Sequence, residues 1–171
     1  MFFLIQFILL LLLFATQITL LEHFAFAGVT PDLALIFVVF CALHFQEYRG
    51  VGMGVVVGVI QDCLSGGLLG VNTLSKGLIA FIFSALKDKI MVEGIVPIFF
   101  FIIASSLLDG LIYYLVMVTL LKGDIPASFL FSSLPVFAAY NALVGPLVFY
   151  GLDLNRRWVL RRFPNQFIRQ I

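Results

Sequence analysis

The sequence predicts an all-α integral membrane protein with six transmembrane helices. Hydrophobic residues make up 63% of the 171 positions, charged residues make up 11%, and the mean hydropathy is +1.17. Soluble domains have roughly 45–50% apolar and about 25% charged residues, and disordered chains have still fewer apolar ones. The apolar runs are too long, and alternate too little, for the strands of a membrane barrel. A bundle of spanning helices is the class that fits.

Polar and glycine-rich breaks divide the chain into six apolar runs, and a spanning helix needs about 20 such residues. The runs cover residues 2–21, 33–45, 51–64, 68–86, 95–121 and 133–152. Adjacent glycines at 66 and 67 favour a turn between the third and fourth runs. The fifth run, about 40 Å long at helical rise, exceeds the roughly 30 Å hydrocarbon core and should tilt or begin with an interfacial segment. Ala25-Phe26-Ala27 resembles the cleavage site of a signal peptide, but the first run is longer than the apolar stretch of such a peptide and lacks a basic start, so we expect it to be retained as a span.

Basic residues accumulate on one side of the predicted membrane, and such residues mark cytoplasmic loops. Eight basic residues lie on that side and one, Lys122, lies on the other; the eight are Arg49, Lys87, Lys89, Arg156, Arg157, Arg161, Arg162 and Arg169. Six spans place both termini together, so both are predicted to be cytoplasmic. We predict one transmembrane domain over residues 1–152 and a basic cytoplasmic tail over 153–171. The arginines of the tail suit either anionic lipids or a cytoplasmic protein.

Three ionisable residues, Asp62, Lys76 and Asp109, fall inside predicted spans, where such groups are costly and often functional. Asp62 and Lys76 lie on consecutive antiparallel helices, and their estimated depths differ by about 7 Å. Because a lysine stem can reach that far, we predict an ion pair between them, with the deeper Asp109 as a second possible acceptor. The plainer alternatives are that Lys76 extends alone to the outer surface and that water hydrates Asp62.

Asp109 has its own predicted partners on one face of the fifth helix. Ser105, Ser106 and Tyr113 stand three or four residues from it, so their hydroxyls are within reach of the carboxyl group. A structural and a functional role for Asp109 are equally open at this point.

Small residues predict where helices pack closely. Gly50, Gly54 and Gly58 recur at intervals of four and share one face, which lets a helix of this chain or of a partner approach. Pro146 predicts a kink in the sixth span, because proline lacks the N–H that the helix needs. Asn141, one turn earlier, is positioned to hydrogen-bond freed backbone groups or to hold a helix interface together.

Residues that would indicate catalysis or metal binding are missing from the sequence pattern. Cys41 and Cys63 have neither disulfide nor metal spacing and are predicted to be small buried packing residues. His23 and His44 stand on separate segments, and His44 is predicted to be packed in the core. The sequence shows no nucleophile elbow, phosphate loop or paired-histidine zinc helix. We therefore predict no enzymatic activity, no cofactor, no metal and no nucleic-acid partner.

Two stretches of the chain carry a recognisable pattern of glycine, proline and polar residues. The first contains Pro31-Asp32-Leu33, Arg49-Gly50 and a glycine-rich segment with Gly58, Asp62, Ser65-Gly66 and Leu69-Gly70. The second runs from Tyr140-Asn141-Ala142 to Gly145-Pro146-Leu147 and is followed by the arginine-rich end. Together they cover much of the range from about residue 31 to residue 162. In these stretches the chain resembles MreD, the rod shape-determining membrane protein family of bacteria.

The resemblance implies a non-catalytic scaffold of the cell-elongation machinery, which synthesises peptidoglycan at the bacterial inner membrane. It implies MreC as a partner, together with RodA, its penicillin-binding transpeptidase and the MreB filament. The family's architecture is similar to the six-helix substrate-binding component of vitamin ECF transporters, which supplies an alternative function as a small-molecule-binding transporter component. Asn72, near Asp62 and Lys76 at the outer level, keeps that alternative open.

Overall fold

The computed structural model describes residues 2–19, 29–65, 69–89, 94–120 and 126–162. Their helices are α1 (Phe2–Thr19), α2 (Leu33–His44), α3 (Glu47–Ser65), α4 (Val71–Leu86), α5 (Ile95–Leu120), α6 (Ser128–Phe131) and α7 (Ser133–Arg162). A 3-10 turn, Lys87–Lys89, follows α4 directly. The predicted all-helical class is confirmed for this part of the chain. His23, the turn at 66–67, Lys122 and the tail beyond Arg162 lie outside the described residues.

Helix α2 forms the centre of the bundle. It contacts each of the other five helices of 12 or more residues, namely α1, α3, α4, α5 and α7. Its ten residues from Leu33 to Ala42 are all buried, so it is apolar on every side. A helix that is hydrophobic all round belongs in a core rather than at a surface. At 12 residues it is about 18 Å long, well short of the roughly 30 Å hydrocarbon layer.

Local signals fix where the helices begin. Asp32 precedes α2, and its side chain accepts a hydrogen bond from the Leu35 N–H, as a helix N-cap does. Gly70 stands before α4 with φ of 104°, a left-handed conformation that glycine adopts without steric cost. The chain therefore turns sharply between α3 and α4, which lets these two helices pack side by side.

Two helix limits differ from those predicted. Helix α3 begins at Glu47 rather than near residue 51, so the polar break between the second and third runs is itself largely helical. Helix α7 continues past Leu152 to Arg162. The segment after Leu152 contains no glycine or proline, and Asp153 pairs with arginines three and four residues later, an arrangement that supports a helix. The described part of the predicted tail is therefore helical.

Two helical stretches among the described residues, Ile95–Thr119 and Ser128–Arg162, are long and apolar enough to cross a membrane by themselves. In their most apolar windows, 22% and 28% of the residues are buried inside the protein. Most of their surface therefore faces outward, unlike the core helix of a soluble protein. Shorter apolar helices occur at Ile8–Gln17 and Leu33–His44. The count of six spans remains a prediction.

The predictions for cysteine and histidine have mixed outcomes. Cys41 is fully buried in the centre of α2, as predicted. Cys63 is exposed, so the prediction that it is buried is wrong; it lies on the side of α3 away from the bundle. His44 is packed as predicted, because its ring stacks on Phe40 at 4.4 Å and lies 5.4 Å from the ring of Phe149.

Candidate functional site in a buried charge network

Eight polar residues, seven from four helices and one from a helix cap, connect inside the bundle. We call them the charge network: Asp32, Gln61, Asn72, Ser75, Lys76, Ser106, Asp109 and Asn141. They join the start of α2 to α3, α4, α5 and α7. Such groups are expensive inside a bundle unless they are paired, so their convergence at one place indicates a selected feature.

Lys76 is the cation of the network. Its side chain is 1% exposed, and its Nζ lies 2.9 Å from Asp32 Oδ2 and 3.0 Å from Asp109 Oδ1. Nζ also donates to Asn72 Oδ1 at 3.1 Å. An ammonium group has three N–H donors, so these three acceptors saturate it. The lysine therefore lies across the bundle and links α4 to α5 and to the cap of α2.

Asp32 is held from several sides. Besides Lys76, Gln61 Nε2 donates to its Oδ2 at 3.2 Å, while its Oδ1 caps α2. Its backbone N–H donates to Asn141 Oδ1 at 2.7 Å. The carboxylate thus accepts a hydrogen bond from a backbone N–H group in the first turn of α2. That turn lies inside the bundle, where such N–H groups would otherwise lack partners.

Asp109 receives its hydrogen bonds from α4. Ser75 Oγ and Lys76 Nζ both donate to its Oδ1. The prediction that hydroxyls of its own helix bond it is wrong, because those serines have other partners. Ser105 Oγ donates to the carbonyl of Ile102, and Ser106 Oγ accepts from Asn141 Nδ2 at 2.9 Å.

The predicted ion pair between Asp62 and Lys76 is also wrong. Asp62 Oδ1 accepts from the Asn72 N–H and Nδ2, each at 3.0 Å. Its Oδ2 accepts from the N–H groups of Gly70 and Thr73 at 2.9 and 3.0 Å and from Thr73 Oγ1 at 2.6 Å. These five donors lie at the N-terminus of α4, which carries partial positive charge. Asp62 therefore caps α4. Lys76 instead pairs with Asp109, the deeper carboxylate that was predicted as a second possible acceptor.

The glycine face of α3 lies against α4. A Cβ atom at Gly54 would stand 2.7 Å from the carbonyl oxygen of Lys76, and one at Gly58 would stand 2.5 Å from the Cα of Thr73. At Gly50, a Cβ would lie 2.5 Å from Ser84 Oγ. Since real Cβ contacts are not this short, α4 can occupy this position only against glycine. The helix contacted by this face thus belongs to the same chain and is the one that carries Lys76.

Asn141 and Pro146 lie on α7. The Asn141 side chain is fully buried and bonds both Asp32 and Ser106, so it connects α7 with α5 and the start of α2. It bonds these residues rather than backbone groups freed by the proline. Helix α7 continues through Pro146, and the kink there remains a prediction.

The family comparison matches residues 1–155 to the profile of the rod shape-determining protein MreD. The chain belongs to the MreD family. No curated protein and no solved structure matches it. The resemblance to MreD seen in the sequence is therefore confirmed, and the chain is a membrane protein of the cell-shape machinery with a role in rod shape determination.

The MreD match includes the whole charge network and the glycine face of α3. It ends at residue 155, just before the arginines predicted to contact lipids or a partner. Arg156 Nη1 lies 3.7 Å from Asp153 Oδ1, and Arg157 Nη2 lies 2.8 Å from Asp153 Oδ2. Arg161 and Arg162 are exposed. One aspartate thus faces two arginines, and the end of α7 keeps a positive charge.

Nothing in this MreD-family chain indicates a catalytic or metal centre within the described residues. No group of three or more His, Cys, Asp and Glu side chains is placed there to hold a metal ion. The family determines cell shape and is not known for enzymatic activity. The charge network joins five helices, since it connects the N-cap of α2 with side chains of α3, α4, α5 and α7.

Sequence reasoning missed Asp32, Gln61 and Ser75. Asp32 had a recognisable signal, since an aspartate directly before an apolar run is a common N-cap. The structure places this cap inside the bundle, where Asp32 is 6% exposed. Gln61 and Ser75 gave no comparable signal.

Proposed function

We propose that this chain is a non-catalytic membrane scaffold of the bacterial cell-elongation machinery. It binds MreC and helps to regulate RodA and its penicillin-binding transpeptidase, with a link to the MreB filament on the cytoplasmic side. The observation that carries the proposal is the match to the MreD family over residues 1–155.

The charge network supports a scaffolding role. A partner that recognises a helix surface needs that surface to keep its shape. Five helices are joined here through buried ionic and hydrogen bonds, and removing one member of such a pair costs roughly 3–5 kcal/mol. The bundle can therefore present a fixed surface in the membrane. Residues such as Leu143 and Leu147, which are 72% and 76% exposed on α7, supply apolar surface for lipid or for a partner's transmembrane helix.

The arginines at the end of α7 support contact with the cytoplasmic leaflet. A cavity of about 640 Å³ between α5, α7 and the end of α2 is lined by Arg156, Arg157, Asp153, His44 and Tyr150 together with apolar side chains. Basic pockets between helices on the cytoplasmic side suit anionic lipid head groups. We propose that this end of the protein contacts anionic lipids and that both termini are cytoplasmic.

A vitamin-transporter component is the second candidate, favoured by a separate cavity near Asn72 and Asp109. Purification from native membranes separates the two. A bitopic partner that co-purifies supports the scaffold, whereas transporter ATPase subunits that co-purify support the second candidate.

The proposed topology is tested with single cysteines in a chain whose two native cysteines are replaced by serine. A membrane-impermeant thiol reagent added to whole cells should label Phe131→Cys, which is 84% exposed on α6, and spare Asn165→Cys. Permeabilised cells provide the control, since both positions should then react. Labelling of position 165 in intact cells would contradict six spans with cytoplasmic termini.

The proposed function itself is tested by deleting the gene in its rod-shaped host. Loss of rod shape, restored by the wild-type chain supplied in trans, is the expected result. A deletion strain that keeps its rod shape and its rate of sidewall synthesis would contradict the proposal.

A further inference from the structure

A second feature of the bundle lies beside the charge network. A half-open cavity of about 480 Å³ lies between the start of α4, the middle of α5, α6, the start of α7 and the segment before α2 that contains Val29 and Thr30. Its polar lining includes Asn72, Ser75, Asp109 and Ser133. Its volume falls within the roughly 300–1,000 Å³ of small-molecule sites, which combine apolar walls with few polar groups.

The polar end of the cavity has a carboxylate oxygen without a partner. Both hydrogen bonds to Asp109 go to Oδ1, and within the described residues none goes to Oδ2. Asp109 is nine-tenths buried, yet its side chain keeps 13% of its surface exposed and lines the cavity. Lys76 cannot serve this oxygen, since its three donors are already used. Counting Lys76 as a cation and Asp32 and Asp109 as carboxylates, the network carries a formal charge of −1.

Aromatic side chains form about half of the apolar walls of the cavity. Tyr113, Phe129 and Phe137 line it, together with the aliphatic side chains of Val29, Val71 and Leu134. Phe129 is held in place by Tyr114, whose ring stacks on it with an angle of 6° between the planes. Aromatic faces attract cations, and the attraction is stronger where water is excluded.

We propose that this cavity binds a small organic amine in its protonated form, with an aromatic or aliphatic body. The ammonium group donates to Asp109 Oδ2 and balances the charge of the network, while the body packs between Tyr113, Phe129 and Phe137. A ligand with a carboxylate or phosphate would be repelled by Asp109. This site is additional to the scaffold function, and that proposal would stand if the site failed its test.

The experiment is calorimetric titration of the full chain in detergent with 2-phenylethylammonium. The neutral analogue 2-phenylethanol and the anion 3-phenylpropionate have bodies of similar size and serve as controls. Saturable binding of one amine per chain is expected, with the alcohol bound at least about tenfold more weakly, because the ammonium forms an ion pair with the Asp109 carboxylate whereas the hydroxyl carries no charge. No saturable binding of the amine, or equal binding of the alcohol, would overturn the proposal.

Matched variants test whether the amine binds in this cavity. Ser133→Leu fills the cavity without touching the charge network and should abolish binding. Ser132→Leu, its exposed neighbour outside the cavity lining, should bind like the wild type. Asp109→Asn should weaken binding of the amine by at least about tenfold and leave the alcohol unaffected. Unchanged amine binding by Ser133→Leu would show that the amine binds elsewhere, and the proposal would be wrong.

Discussion

Replacing Lys76 by methionine removes the cation of the charge network and leaves two buried carboxylates. Methionine is similar in length and fills the space of the stem, so packing changes little. Asp32 and Asp109, 2.9 and 3.0 Å from Nζ in the wild type, then face each other without a counter-ion. Breaking a buried pair in this way costs roughly 3–5 kcal/mol. Asp109→Asn should cost less, about 1.5–3 kcal/mol, since Lys76 keeps Asp32.

Double variants distinguish the Lys76–Asp109 pair of the structure from the Asp62–Lys76 pair that the sequence predicted. Lys76→Met with Asp109→Asn should recover about 1–3 kcal/mol relative to the sum of the single losses, because one uncompensated charge is removed. Lys76→Met with Asp62→Asn should recover clearly less, since Asp62 bonds the N-terminus of α4 and shares only Asn72 with Lys76. Asp153→Asn is the control. Asp153 pairs with Arg156 and Arg157 near the C-terminal end of α7, away from the charge network. The stability loss from Asp153→Asn should therefore add to that from Lys76→Met within about 0.5 kcal/mol.

The free energy of unfolding is measured by titrating sodium dodecyl sulfate into mixed micelles and following helix loss by circular dichroism. Equal or larger recovery with Asp62→Asn than with Asp109→Asn would refute the pairing described here. A stability loss below about 1 kcal/mol for Lys76→Met would refute the claim that the network holds the bundle together.

Two other predictions concern packing and exposure. Gly54→Leu combined with Gly58→Leu should destabilise the protein by several kcal/mol, since overpacking costs about 1–3 kcal/mol at each site. Gly52→Leu is the control and should be nearly neutral, because nothing lies within 4 Å of a Cβ atom placed at Gly52. Stability of the double variant equal to that of Gly52→Leu would contradict close α3–α4 packing. In detergent micelles, a maleimide should modify the exposed Cys63 and spare the buried Cys41, as read by mass spectrometry; preferential modification of Cys41 would contradict the burial of α2.

The fold class was predictable because it depends on composition and run length. The close helix contact was predictable because glycines four residues apart share one face of a helix. The ion pairing was not, because estimated depth gives a residue's height along a helix but not the direction of its side chain. The estimated depths of Asp62 and Lys76 differed by about 7 Å, within the reach of a lysine stem, yet the N–H groups at the start of α4 are closer partners for Asp62 than a side chain that points into the bundle. Asp32 was missed because its place directly before an apolar run was not recognised as a helix N-cap.

The limits of α7 illustrate a different difficulty. The drop in hydropathy after Leu152 marks where the chain can leave the hydrocarbon layer. Backbone hydrogen bonding does not end there, because the residues that follow are good helix formers and Asp153 pairs with Arg156 and Arg157. Hydropathy therefore predicts where the chain can leave a membrane but does not predict where the helix ends.

Quantitative purification from native membranes tests the scaffold proposal most directly. The full chain, tagged and expressed at its natural level, is extracted in a mild detergent after brief cross-linking, and its co-purifying proteins are counted by mass spectrometry against an untagged strain. The account predicts a bitopic partner with a periplasmic coiled coil in near-stoichiometric amount, with the RodA synthase enriched beside it. Recovery of the chain without a bitopic partner, or together with transporter ATPase subunits, would contradict it.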